Sequence, residues 1–355
     1  MSSSSDDDRE AIVFDIGSHS ARAGFAGDDE PSVELKYLDC PEFRDTYCNR
    51  GYQIYNPESF DLDIKEKIIS KCYDLLGSDT EDVMKGSPAL FTVHFNDSLS
   101  VKESMLELMF EKFDVPGLYM APSPVLSLYS SGRGSGIVLE SGNSVTQTVA
   151  IYESYMYANS VLSENNAGAE VTRVLKASCE NAGSTFTDAD YVHLKEQYSS
   201  LEVNAQTTEV ELPDGTVHEL ENSFLRACAA SLFDLDSGLI SLPEMVYKSI
   251  MVANIHCRKD LFANIILSGG NTMISGLPDQ LTNSLNKIVS KRHRGLKVRT
   301  VASPERCYFP WIGGSILGSL SCYMNSLFLT REMYQDYGSQ YIHKLCFNPA
   351  NSIQG

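Results

Sequence analysis

Apolar positions first gather at Ala11, where Ala-Ile-Val-Phe runs into Asp15, and the run resumes from Ala21 to Phe25 after Gly17, Ser18 and His19. That pattern predicts strand, tight turn, strand. From Pro31 to Phe60 Tyr, Cys, Asp and Asn interrupt any period, and irregular chain is expected. Ile64, Ile68, Ile69, Cys72, Leu75 and Leu76 then form one helical stripe, and Ala89 to His94 reads as a buried strand. Ser100-Val-Lys-Glu103 has capping-box spacing ahead of a helix whose apolar face is Val101, Met105, Leu108, Met109 and Phe113. Val125 to Tyr129 continues an apolar segment up to Ser130-Ser-Gly-Arg-Gly-Ser-Gly136, the stretch best suited to a crossing between lobes.

The next segment repeats the first. Ile137-Val-Leu-Glu140-Ser-Gly142-Asn-Ser followed by Val145 to Tyr152 has the form of Ile12-Val-Phe-Asp15-Ile-Gly17-Ser-His followed by Ala21 to Phe25. Strand, acid, one spacer, glycine, polar turn and returning strand recur in the same order, which predicts two lobes of like topology, each presenting a hairpin turn to a common cleft. Further on, Thr187 to Tyr198 reads as a helix carrying Lys195 and Glu196, and Glu209 to Leu220 as a hairpin around Pro213-Asp-Gly215. Leu261 to Ser268 reads as a buried strand entering Gly269-Gly270, and Pro278 as the start of a helix. Trp311 to Leu320 is apolar nearly all round, a helix with small residues for close packing.

Charge narrows the partners. Against 28 Lys+Arg stand 47 Asp+Glu, a formal net charge of -19, so a nucleic-acid backbone or an anionic membrane would repel the chain and basic protein surfaces suit it better. No apolar run is long enough to span a bilayer. Ser2 to Asp8 forms an acidic tail without the basic and apolar regions of a secretory signal, and Asn348 to Gly355 reads as a second tail. The nine cysteines are scattered with no C-x-x-C, which predicts reduced thiols in cytosol or nucleus rather than a zinc site.

Tight glycine turns can grip a phosphate chain through backbone N–H groups, because nothing projects between backbone and ligand. Gly17-Ser18 and Gly142-Asn143 suit that role, one per lobe. The carboxylates of Asp15 and Glu140 then become candidates to hold Mg2+ through its waters, and Arg22 offers positive charge to phosphates. Gly269-Gly270 after a strand lets a flat base approach the backbone.

This order resembles the actin family. Ala23-Gly-Phe-Ala-Gly-Asp-Asp29, Val125-Leu-Ser-Leu-Tyr129, Arg258-Lys-Asp-Leu261, Leu267-Ser-Gly-Gly270, Pro304-Glu-Arg306 and Trp311-Ile-Gly-Gly-Ser-Ile-Leu317 are similar to actin nearly letter for letter, and Lys344-Leu-Cys-Phe347 resembles its C-terminal end. The resemblance implies the two-lobed α/β fold of actins, sugar kinases and the large heat-shock chaperones, with ATP and Mg2+ in an interlobe cleft. It divides the chain into an outer lobe of residues 1–130 plus 309–355, its small subdomain shortened around 31–60, and an inner lobe of 131–308 with a small subdomain around 168–237. By position it implies phosphate contacts from Asp15, Gly17, Ser18, Arg22, Glu140, Gly142 and Asn143. The adenosine pocket would use Gly168, Lys195, Glu196, Gly269, Gly270 and Met273.

Departures from the family fall on the hydrolytic apparatus. Where actins place the attacking water with a glutamine, this chain has Ser123; where a histidine supports that water, it has Gln147. Glu140 and Asn143 stand for two aspartates, His19 and Ser144 for two turn glycines, and Cys307 for a lysine near the adenine. Losing water-placing residues costs orders of magnitude in phosphoryl transfer, so binding with weak or no hydrolysis is expected. The region 31–60 is shorter than the actin segment bearing the loop that enters the next filament subunit, and the plug region Leu232 to Leu239 is altered, so homopolymerisation is not expected. The reading is a divergent cytoplasmic, cytoskeletal actin-like protein, a structural subunit of a cytoskeletal or nuclear hetero-complex, with actin or actin-binding proteins among its candidate partners. The alternatives are a filament-forming actin with slow ATP hydrolysis and, distantly, a small-molecule kinase, for which the chain shows no clear carboxylate base.

Overall fold

The β1 strand (Ile12–Ile16) and β2 strand (Ser20–Phe25) pair antiparallel around the first predicted turn. The structure, a computed structural model, describes residues 10–51, 53, 61–77, 86–95, 97–202, 206–233, 240–292, 295–320 and 326–342. The acidic tail, most of the plug region, Lys344 to Phe347 and the C-terminal tail lie outside the described residues.

Two expectations in the first third are corrected. Within Pro31 to Phe60, β3 (Val33–Lys36) pairs with β2, and α1 (Pro41–Asn49) forms a helix. Pro41 sits at the first helical position, where a missing N–H costs nothing, and Phe43 and Tyr47 fall four apart on one buried face. A helix of two turns with a single apolar pair is too short to show a period. After α2 (Leu62–Leu76) and β4 (Ala89–Val93), α3 (Leu99–Glu107) is capped by Ser98, whose Oγ accepts from the Val101 amide at 3.3 Å, so Ser100 lies inside the first turn. β5 (Gly117–Pro122) runs parallel to β4 and leads into α4 (Ser123–Ser130).

β6 (Gly136–Ser141) and β7 (Thr146–Tyr152) form the second predicted hairpin, with β8 (Tyr155–Met156) and β9 (Leu162–Glu164) both pairing with β7. There follow α5 (Gly168–Asn181), α6 (Asp188–Tyr198), the two-stranded β10 (Thr207–Glu211) and β11 (Val217–Glu221), α7 (Asn222–Ala230) and α8 (Leu242–Val252). Leu261 to Ser268 is not one strand. Leu261 and Phe262 bury themselves from a helix, α9 (Arg258–Ala263), and β12 occupies only Ile265–Ser268. α10 (Leu277–Arg292), β13 (Thr300–Val301), α11 (Phe309–Gly318), β14 (Leu329–Thr330) and α12 (Arg331–Tyr337) complete the order.

Contacts divide the chain into two units, Met1–Asp39 with Tyr55–Arg133 and Tyr308–Ile353, and Cys40–Ile54 with Gly134–Cys307 and Gln354–Gly355. The first boundary after the opening excursion falls within the glycine–serine stretch. The repeat extends to whole sheets: the first unit orders its strands β14-β5-β4-β1-β2-β3, the second β13-β12-β6-β7-β8. In each, a hairpin supplies two antiparallel strands and two later strands, β4 and β5 or β12 and β13, extend the sheet parallel to the first of them.

Each sheet has its own core. In the first unit Val13, Leu90, Leu126 and Trp311 pack together, and Trp311 Nε1 donates to the Val13 carbonyl at 3.1 Å. Truncating that tryptophan to alanine costs about 3–5 kcal/mol on the usual scale for large buried aromatics. In α11 a side chain on Gly313 would strike the α4 carbonyl of Leu126, and one on Gly314 would come within 2.7 Å of Val13, which is why this helix needs small residues. In the second unit Ile137, Leu139, Val246, Ile265 and Leu267 belong to one core, and every residue of β6 is buried, as expected of a strand covered on both faces.

Candidate functional site

In the first unit the hairpin register sets Asp15 opposite Arg22, and the Gly17 amide closes the turn on the Ser20 carbonyl at 2.9 Å. Thr92, one residue past the β1–β4 pairing, donates its hydroxyl to Asp15 Oδ1 at 2.6 Å, and Arg22 Nη1 donates to Oδ2 at 3.3 Å. Arg22 also reaches Glu34 Oε1 from β3, through Nε and Nη2 at 3.1 Å each. Its guanidinium carbon lies 4.8 Å from the centre of the Tyr308 ring, whose hydroxyl in turn donates to Glu34 Oε2 at 3.2 Å. The charge expected for phosphates is thus shared among two carboxylates and a ring face. Ser18 is buried in the turn, and Ser123 is buried as the first residue of α4.

Below this turn lies a residue the sequence reading missed. Tyr37 is fully buried, donates its hydroxyl to the Gly17 carbonyl at 3.0 Å, and donates its amide to the His19 carbonyl at 3.2 Å. Burial, reinforced by Cys72 and Asp15 and opposed by Arg22, holds its phenol well above the ordinary tyrosine range.

The second unit repeats the frame with different chemistry. Glu140 stands opposite Gln147, and the Gly142 amide closes the turn on the Val145 carbonyl at 3.0 Å. Gln147 Nε2 donates to Glu140 Oε2 at 3.2 Å, with both side chains buried. The amides opening α5 clasp the turn: Gly168 N donates to Gly142 O at 3.1 Å and Ala169 N to Asn143 O at 2.7 Å. α6 is fixed by a capping box between Thr187 and Asp190, and from it the buried Lys195 Nζ donates to the Gly168 carbonyl at 3.5 Å. Glu196, next along, is exposed.

At the end of β12, Gly269 has φ +90°, the left-handed region that favours glycine, and a side chain there would collide with the Ser141 carbonyl. Gly270 opens a short 3₁₀ turn to Met273, which is 42% exposed. The missed Arg306 pins this turn, donating Nη2 to Thr272 O at 3.0 Å and Nη1 to Ser303 O at 2.8 Å, while its own carbonyl accepts from Gly269 N at 3.0 Å. Burial lowers its pKa. Its place in the string Pro304-Glu-Arg306 was the one signal that pointed to it.

The glycines test whether a ligand fits. Gly269 is demanded by packing and Gly168 is tightly packed, since a methyl on Gly168 would come within 3.1 Å of Asn143 Oδ1 and 3.3 Å of the Gly142 carbonyl. Gly142 and Gly270 are not: a methyl on the first meets only Val145 O at an ordinary 3.6 Å, one on the second meets nothing within 4 Å, and neither has left-handed φ. Bare backbone that the fold does not require, in a unit where the buried Lys195 ammonium reaches the Gly168 carbonyl, fits a flat and anionic ligand. Among the described residues no three His, Cys, Asp or Glu side chains are grouped to hold a metal ion, so a cation here would depend on ligand oxygens and waters for most of its shell.

Two α/β units of matching strand order, each with an acid–glycine hairpin turn, define the actin-like ATPase fold. The family model for actin matches residues 60–200 and 186–347. The Dictyostelium discoideum protein named "Putative actin-29" is 31% identical over 396 aligned residues, covering 98% of this chain and all of that one. The chain belongs to the actin family, as a divergent, actin-like member. None of its described helices is long and apolar enough to cross a membrane.

Proposed function

We propose that the protein binds ATP with Mg2+ through these two half-sites, hydrolyses it weakly or not at all, and serves as a structural subunit of a larger cytoskeletal assembly. The observation that carries the reading is the glycine pattern of the second unit: Gly142 and Gly270 leave backbone open without structural need, while Lys195 reaches the carbonyl of Gly168, whose amide bonds to Gly142. When bound, Mg2+ would neutralise phosphate charge, with Asp15 and Glu140 as its water-mediated supports.

Weak turnover follows from the chemistry of position 147. A neutral amide engaged by Glu140 cannot take up a proton as a histidine can, and Ser123 is too short to replace a glutamine's reach. Cys307 removes a cation from the adenine side, which favours modest affinity.

The test is to purify the protein without added nucleotide, denature it quickly and chromatograph what is released, alongside Gly270→Val. Stoichiometric ATP from the unaltered protein and little from the variant, at equal melting temperature, supports the reading. Stoichiometric ADP from the unaltered protein, or pelleting as long filaments with phosphate release, favours a polymerising ATPase instead; if positions 123 and 147 limit turnover, Ser123→Gln combined with Gln147→His shifts the released nucleotide from ATP to ADP. An empty site in the unaltered protein overturns it.

A further inference from the structure

Beneath the second turn runs a chain of hydrogen bonds that neither the turn motif nor the glycines account for. Asn271 Nδ2 lies 2.9 Å from Ser141 Oγ, Ser141 Oγ lies 2.7 Å from Thr146 Oγ1, and Thr146 Oγ1 lies 2.7 Å from the Asn166 carbonyl. Ser141 and Thr146 are fully buried, Asn166 and Asn271 nearly so.

The direction of every bond is determined. A carbonyl only accepts, so the single Thr146 hydroxyl proton goes to Asn166. Ser141 must then donate to Thr146, which leaves its oxygen to accept, and Asn271 must present its NH2. The order is Asn271 to Ser141 to Thr146 to Asn166, with no alternative arrangement of equal satisfaction. Asn166 closes the far end by donating Nδ2 to the Ser231 carbonyl at 3.5 Å.

These four residues sit on the segments that carry the candidate ligand residues. Ser141 and Thr146 flank the turn of Gly142 and Asn143, Asn166 lies two residues before Gly168, and Asn271 lies between Gly270 and Met273. Buried polar chains in which every member is satisfied rigidify what they connect. We propose that Asn271 is a positioning residue: through Ser141 it sets the spacing between the loop offered to the base and the turn offered to the phosphates, so that one ligand spans both without rearrangement. This rests on the nucleotide reading above. Holding two sub-sites in register strengthens a ligand that joins them and does nothing for either half alone.

The experiment uses the full chain with Asn271→Ala, and with Asn271→Asp, which keeps the side-chain shape but cannot donate to Ser141, in case the alanine variant fails to fold. Each is titrated with ATP, adenosine and inorganic triphosphate, and amide hydrogen exchange is followed without nucleotide. The expected result is at least tenfold weaker ATP binding, less than twofold change for adenosine or triphosphate, and at least tenfold faster exchange at Gly142, Gly168 and Ala169. Equal weakening of ATP and adenosine would make Asn271 a local contact and overturn the positioning role, as would unchanged exchange together with unchanged ATP affinity. If the unaltered protein binds none of the three, the nucleotide reading fails on that arm, and the exchange arm still decides whether the chain holds the loops together.

Discussion

The β1–β2 and β6–β7 hairpins carry an acid at the same register point, Asp15 opposite Arg22 and Glu140 opposite Gln147, and close their turns with the same bond from glycine amide to the carbonyl three residues on. What holds the acid differs. Asp15 sits in a charged cluster with Arg22 and Glu34, whereas Glu140 is held by a neutral amide above a chain of neutral hydroxyl and amide groups. One topology therefore supports two electrostatic regimes. The charged turn is tied to its neighbours by forces that salt screens, the neutral one by directional bonds and close backbone approach that salt leaves alone.

The largest contrast should come from glycine replacement. Gly269→Ala combines left-handed backbone with a collision against Ser141, and is expected to cost about 3 kcal/mol. Gly17→Ala meets only Ser20 O at 3.3 Å without left-handed φ, and should cost about 1 kcal/mol, read by urea unfolding. Equal losses would mean that the second turn is no more tightly joined than the first.

Next comes removal of the partner across the hairpin. Arg22→Met strips the cation from Asp15 and Glu34 and should cost about 2 kcal/mol at low salt, shrinking as salt is raised. Gln147→Leu removes one donor to a buried carboxylate and should cost about 1.5 kcal/mol, unchanged between low and high salt. Identical salt slopes for the two variants would erase the proposed difference in regime.

The smallest effect sharpens the account of the first turn. Tyr37→Phe deletes the bond to the Gly17 carbonyl and should cost about 1 kcal/mol at neutral pH. Because the folded-state phenol titrates above its ordinary value of 10.0, its stabilisation is complete below pH 10 and is lost as pH rises beyond it. The gap between the unaltered protein and the variant should therefore narrow above pH 10. A constant gap would show that the phenol is not shielded by burial.

Much of this was legible from residue order. The repeat of strand, acid, spacer, glycine and turn gave both hairpins and, by extension, two sheets of like strand order, because short continuous apolar runs and turn residues act over a few positions. Helices with a long stripe, such as α2, were equally readable. Local reading failed where a short element had one apolar pair, as in α1, where Ser98 and Ser100, two positions apart, competed to cap α3, and where α9 and β12 merged into one apolar run.

The site divides in the same way. Sequence by itself determined the candidate ligand residues: chemistry and spacing pointed to the acids and the turn glycines, and the resemblance to actin to Lys195 and the altered positions Ser123 and Gln147. Only tertiary structure decided how each is held. That Arg22 is shared between Asp15 and Glu34, that Tyr37 lies under one turn and Asn271 under the other, and that Gly269 is required while Gly270 is not, all depend on separate segments, from neighbouring strands to stretches 130 residues apart, meeting within hydrogen-bond range. Hydrogen bonds and steric exclusion act at about 3 Å, and no local pattern encodes which distant residue will arrive at that distance.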